Sequence, residues 1–245
     1  MLFSSLERQT YPYTLCMADE LLPERGFVYD EHGFSDNSIF VECEKQPGNQ
    51  RALAQAYNNA ADLSVDLGYD LLVSLQDYIW VPDNGIEMFV EVHEKYPEAL
   101  LTGLVSLSDA PSDHEIADTS GLFSIFTEPL TGRPSGLSWQ DSRIQLYPGE
   151  EEIVACTAEH WEANWAAVPV SLLEKGVRWD LRYDQGVAYE NMDFAKRCEY
   201  LHQTPCILDK RNHALGIPHR EIWPAEKKQL ERYTNRWIYE DWWGK

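Results

Sequence analysis

What the chain lacks narrows its reading first. No apolar run approaches the ~20 residues that a membrane-spanning helix needs, and no signal-peptide pattern is found. Cysteine is sparse and scattered: Cys16, Cys43, Cys156, Cys198 and Cys206 form no CxxC pair. An odd, dispersed set of this kind points to reduced, mostly buried thiols in a cytoplasmic protein. No fixed repeat period is present, which excludes a solenoid. No glycine-rich loop followed by Lys or Arg lies near the start, so a nucleotidyltransferase lacks its phosphate cradle. Basic residues are also short, 20 against 41 acidic, for a net charge of −21. A surface of that sign repels phosphate backbones and argues against general nucleic-acid binding.

What is present is enough for a core. The 245 residues are 44% hydrophobic and 12% aromatic, within reach of one large α/β domain with no evident linker. Residues 13–18 and 38–43 read as strands. Leu53, Ala56, Ala60, Leu63 and Leu67 fall at helical spacing within 48–67, and Gly68 marks the stop. A buried strand over 70–76 follows, then a helix from Gly85 to Tyr96 and a strand over 99–107. This alternation predicts a Rossmann-like, mostly parallel sheet with helices on both faces. Regularity then fades: 108–149 is rich in Ser, Asp, Pro and Gly, with short strand candidates near 122–126 and 144–146. Later segments read as a short helix over 171–175, a polar loop over 179–190, a helix over 191–201 and a last strand over 205–208.

Three acidic turns are candidates for one site: Asp19-Glu20, Asp77, and Glu190-Asn191-Met192-Asp193. The run Leu71 to Leu75 ends at Gln76-Asp77-Tyr78, placing a carboxylate just past a strand's carboxyl end, where α/β sheets bind ligands. A hard cation bridging two phosphates needs only one or two protein oxygens, and an acceptor hydroxyl needs a carboxylate base. The competing reading is that these acids simply cap helices. Trp161 and Trp165 present the same choice between stacking on a sugar ring and packing the core. His213 and His219 compete as a late metal ligand.

Taken in order, these features resemble the family-2-type glycosyltransferases of the GT-A fold. The match is to a subgroup in which Leu-Gln-Asp-Tyr, here Leu75 to Tyr78, replaces Asp-x-Asp. Ser5-Leu6-Glu7-Arg8-Gln9-Thr10-Tyr11 looks like that family's "SL..QTY" helix, and Ala56-Tyr57-Asn58-Asn59-Ala60 like its "ArN.A" helix. Trp179-Asp180 through Glu190-Asn191-Met192-Asp193-Phe194 to Arg197 looks like "G.dE…ED.DL..R". The resemblance implies one GT-A-like domain. Residues 1–107 would be its nucleotide-sugar-binding half, 108–220 an irregular acceptor and catalytic half, and 221–245 a tail.

The resemblance also implies the site. Asp19, Glu20, Arg51, Asn58 and Asp77 would contact the donor nucleotide-sugar. Asp77 and His219 would hold a manganese or magnesium ion, and Trp165, Asp180 and Asp184 the unidentified acceptor. Glu190 or Asp193 would be the base of an inverting transfer, because Asn191 stands where the family carries its catalytic Asp. The family's first strand has already ended where this chain starts, so an N-terminal truncation is expected. The alternative is a degenerate GT-A scaffold that binds rather than transfers.

Overall fold

The computed structural model describes residues 5–19, 38–43, 52–76, 79–108, 137–216 and 225–244. Glu20, Arg51, Asp77 and His219 lie outside the described residues, as do the strand candidate at 122–126 and most of the irregular region. The described chain forms two compact units. The first is built from 1–12, 73–169 and 203–222, the second from 13–72, 170–202 and 223–245.

The second unit holds the first two strands, β1 (Leu15–Asp19) and β2 (Ser38–Glu42), which pair in parallel with Asp19 opposite Glu42 at their carboxyl ends. Helix α1 (Leu53–Asp66) packs on them and buries small residues, Ala54, Ala61 and Ser64, which lets it approach closely. It ends as the sequence predicts, with Gly68 at φ +69°, a conformation glycine adopts without a Cβ penalty. The division between the units falls within β3 (Leu71–Leu75).

The first unit is organised around a seven-stranded sheet. Its new members are β4 (Ile79–Trp80), β5 (Leu100–Ser108), β6 (Leu137–Trp139), β7 (Ile153–Cys156), β8 (Trp165–Pro169) and β9 (Cys206–Gly216). The order is β3-β8-β5-β9-β4, with β6 paired to β5 and β7 to β9. Helix α2 (Gly85–Lys95) packs on β5 and β9. Among the described residues β1 with β2 and β5 with β9 pair in parallel, whereas β4 and β7 with β9, and β6 and β8 with β5, pair antiparallel. The architecture is thus mixed α/β and Rossmann-like, as the alternation predicts.

β9 runs well past the 205–208 stretch read from sequence. Its polar run 209–212 is absorbed by a bulge: Gly103 pairs with Asp209, but Leu104 already pairs with His213. Asn212, inside the bulge, is fully buried, accepts from Trp165 Nε1 (2.8 Å) and donates to the Gly85 carbonyl (2.8 Å). The 144–146 strand expectation is corrected. Residues Arg143–Leu146 form a single helical turn, α3, because the Gln145 and Leu146 amides turn back to the Ser142 carbonyl. The buried Arg143 guanidinium holds that turn, bonding Asp141, Thr102 Oγ1 and the carbonyls of Gly103 and His160. Helices α4 (Val170–Leu173), α5 (Glu190–His202) and α6 (Ala225–Trp243) belong to the second unit.

Candidate functional site

In the second unit Trp179, at the head of the polar loop, sits between two rings. Phe194 stacks on it at 3.7 Å between centroids and Tyr57 at 4.8 Å. Burial of both faces of the indole fixes the loop between α4 and α5 by the hydrophobic effect and ring stacking. Asn58 locks the same residue's backbone: its Oδ1 accepts from the Trp179 amide (2.7 Å) and its Nδ2 donates to the Trp179 carbonyl (2.9 Å). Both ends of the Asn58 amide are thus engaged with the Trp179 backbone. Asn191 is drawn in as well, its Oδ1 accepting from Trp179 Nε1 at 3.3 Å.

The loop acids divide by environment. Asp180 caps the 3-10 turn Leu181–Gln185 through the Arg182 amide (2.9 Å) and pairs with the Arg182 guanidinium at 2.6 Å. Burial pushes its carboxyl up, but the Arg182 bonds outweigh that and hold it below the usual carboxylate range. Asp184 is buried and reaches α1, accepting from the Ala54 amide (2.7 Å) and the Gln55 amide (3.2 Å). The N-cap of that helix is Ala52, which has no side-chain oxygen, so Asp184 supplies the missing cap.

Glu190 is the first residue of α5 and is 8% exposed; Asp193 is one turn on at 1%. Both carboxylates sit in the first turn, where the helix dipole favours negative charge. Asp193 accepts from Arg197 Nε (2.7 Å) and from Trp243 Nε1 (3.0 Å), so both its oxygens are engaged. The Arg197 Nη1 bonds the Arg178 carbonyl at 2.9 Å. Tyr183 is buried beside these acids with no partner for its hydroxyl among the described residues, and burial first, then Asp193 and Asp180, push its pKa up.

Sequence reasoning missed Asn235. It is fully buried on α6 and donates to the carbonyls of Tyr183 and Ala188, both at 2.9 Å. Its only sequence signal is the spacing of Glu231, Asn235 and Tyr239, a polar stripe at four-residue intervals.

In the first unit, Trp165 is fully enclosed, packed against Phe89 and bonded to Asn212, so its ring has no access to solvent. The exit of β3 is held there: Ser74 Oγ donates to the Ala163 carbonyl (2.6 Å) and the Gln76 amide to the Asn164 carbonyl (3.2 Å). Glu162 lies beside these contacts, and burial raises its pKa, an effect Arg143 opposes and Asp141 adds to. His213 bonds Ser106 Oγ through Nε2 at 2.7 Å. Among the described residues no group of three His, Cys, Asp or Glu is placed to hold a metal ion. No described helix is long and apolar enough to cross a membrane, and no disulfide joins the five cysteines, all of which are among the described residues.

The fold is that of the α/β, Rossmann-like GT-A class. Among solved structures, the chain superposes on S. aureus TarS 1–349, a crystal structure in complex with UDP, with a TM-score of 0.56 and 10% identity. The match covers 89% of this chain but 55% of TarS 1–349, so the chain spans about half the length of that structure. No family model matches the chain, and no curated protein matches it.

Proposed function

We propose that this protein is a glycosyltransferase that moves a sugar from a nucleotide-sugar donor to an acceptor hydroxyl with inversion. Glu190 is the base in this reading. Its carboxylate takes the acceptor's proton as the hydroxyl oxygen attacks the anomeric carbon, and the bond to the nucleoside diphosphate breaks. The observation that carries the reading is Glu190 opening α5 behind a stapled loop, on a fold shared with a UDP complex. UDP in that neighbour makes a UDP-sugar the first donor to test. Asp77 follows the end of β3 in sequence and would hold a divalent cation with His219; when bound, that ion would neutralise charge on the departing diphosphate. Asp19 and Glu20 would contact the nucleotide, and Asp180 would border the acceptor.

A second reading, a binding protein on the same scaffold, is favoured by one observation. Asn191 replaces the family's Asp and is tied to Trp179. An amide cannot take the acceptor proton. A screen of UDP-, GDP- and dTDP-sugars, with and without manganese, separates the two. Donor consumption supports transfer, and saturable binding without consumption supports the scaffold.

A further inference from the structure

The buried stripe of α6, Glu231, Asn235 and Tyr239, grips the segment that leads into Glu190. Asn235 uses its Nδ2 on two carbonyls five residues apart, Tyr183 and Ala188. Between them Gly186 lies so close that an added Cβ would come within 2.2 Å of the Glu231 carbonyl and 2.8 Å of Asn235 Oδ1. Further along, the Tyr189 ring meets Tyr239 at 5.3 Å.

The gripped segment ends in an uncommon backbone. Ala188 (φ 69°) and Tyr189 (φ 72°) are left-handed in succession, and neither is glycine. A Cβ makes that region costly, and such residues persist where their surroundings hold them. The Tyr189 carbonyl then accepts from the Asp193 amide at 2.9 Å, the bond that opens α5. The left-handed pair therefore sets where the helix begins and how Glu190 leaves it. At the other end of the same first turn, Trp243 of α6 bonds Asp193.

We propose that Asn235 is a positioning residue: from the C-terminal helix it holds Ala188 and Tyr189 left-handed and so fixes the direction of Glu190. The inference rests on the reading of Glu190 as the base. Asn235 acts as a donor, since among the described residues its Oδ1 has no partner. Aspartate at this position would therefore set carboxylate oxygens against two carbonyls, with almost no change of volume.

Three variants of the full chain test this: Asn235→Asp, Gly186→Ala, which forces α6 off from the loop side, and Asn235→Asp with Ala188→Gly. Amide exchange over 184–191 rises about tenfold or more in the first two, while β1 and β2 keep their protection. With a UDP-sugar donor, kcat falls roughly 10–100-fold and donor KM stays within about threefold, the signature of a misplaced group. Ala188→Gly recovers much of both losses, because glycine adopts the left-handed turn unaided. Unchanged exchange over 184–191, a uniform loss of protection through the unit, or no recovery with Ala188→Gly overturns the proposal. If the exchange pattern appears while the wild type consumes no donor, the positioning role stands and the assignment of Glu190 as base fails.

Discussion

Asp184 was expected at the acceptor, and its two bonds to the start of α1 give it a measurable structural role. Asp184→Ala removes the side-chain cap that Asp184 gives that helix and should cost about 1–3 kcal/mol in urea unfolding. A loss under about 0.5 kcal/mol would mean that the cap contributes little. Asp193→Asn breaks the buried pair with Arg197 while keeping the shape, and should cost about 2–4 kcal/mol with donor affinity unchanged. A weakened donor affinity would instead put Asp193 at the nucleotide. Glu162 gives a pH signature. Its folded-state pKa is raised, so the ionised form is penalised in the native protein, and the penalty is relieved as pH falls through that raised value. Glu162→Gln should therefore raise Tm at pH 7, and the gain should vanish below the ordinary Glu range, near pH 4. Equal gains at both pH values would show a packing effect alone.

Elements were legible where their periodicity was apolar. α1, α2 and β5 follow from Ala and Leu spacing, a glycine stop and an apolar run; the end of α1 and both ends of α2 and β5 fall within a residue of the expected ones, while the expected start of α1 at 48 lies outside the described residues. α6 was not legible. Its buried stripe is Glu231, Asn235 and Tyr239, while Leu230, Tyr233 and Trp237 face solvent, the reverse of the pattern that marks a packed helix. The length of β9 was hidden for a related reason: Asp209, Arg211 and Asn212 are polar but satisfied inside a bulge. Gly103 is the counterpart of that bulge. A Cβ there would sit 2.4 Å from both the Asn212 carbonyl and Trp165 Cδ1. Gly103→Ala should cost about 1–3 kcal/mol, read as a lowered urea midpoint. An unchanged midpoint would show that the bulge yields easily.

For the whole molecule, the βαβ alternation was enough to read an α/β, Rossmann-like fold, the resemblance of its motifs implied the GT-A form of it, and the superposition on TarS 1–349 agrees. The site was legible only in outline. Acidic turns stand out in sequence, but whether an acid caps a helix, pairs with arginine or faces a ligand depends on contacts made 50 to 130 residues away, as for Asp193 with Trp243 and Asp184 with Ala54. The central claim is sugar transfer with Glu190 as base. The direct measurement is steady-state consumption of a UDP-sugar by wild type and Glu190→Gln, with donor affinity measured on both. Glu190→Gln should lose on the order of 10²–10⁴ in turnover with donor affinity within about threefold. Equal turnover in the two proteins, or a wild type that binds donor and never consumes it, would contradict it.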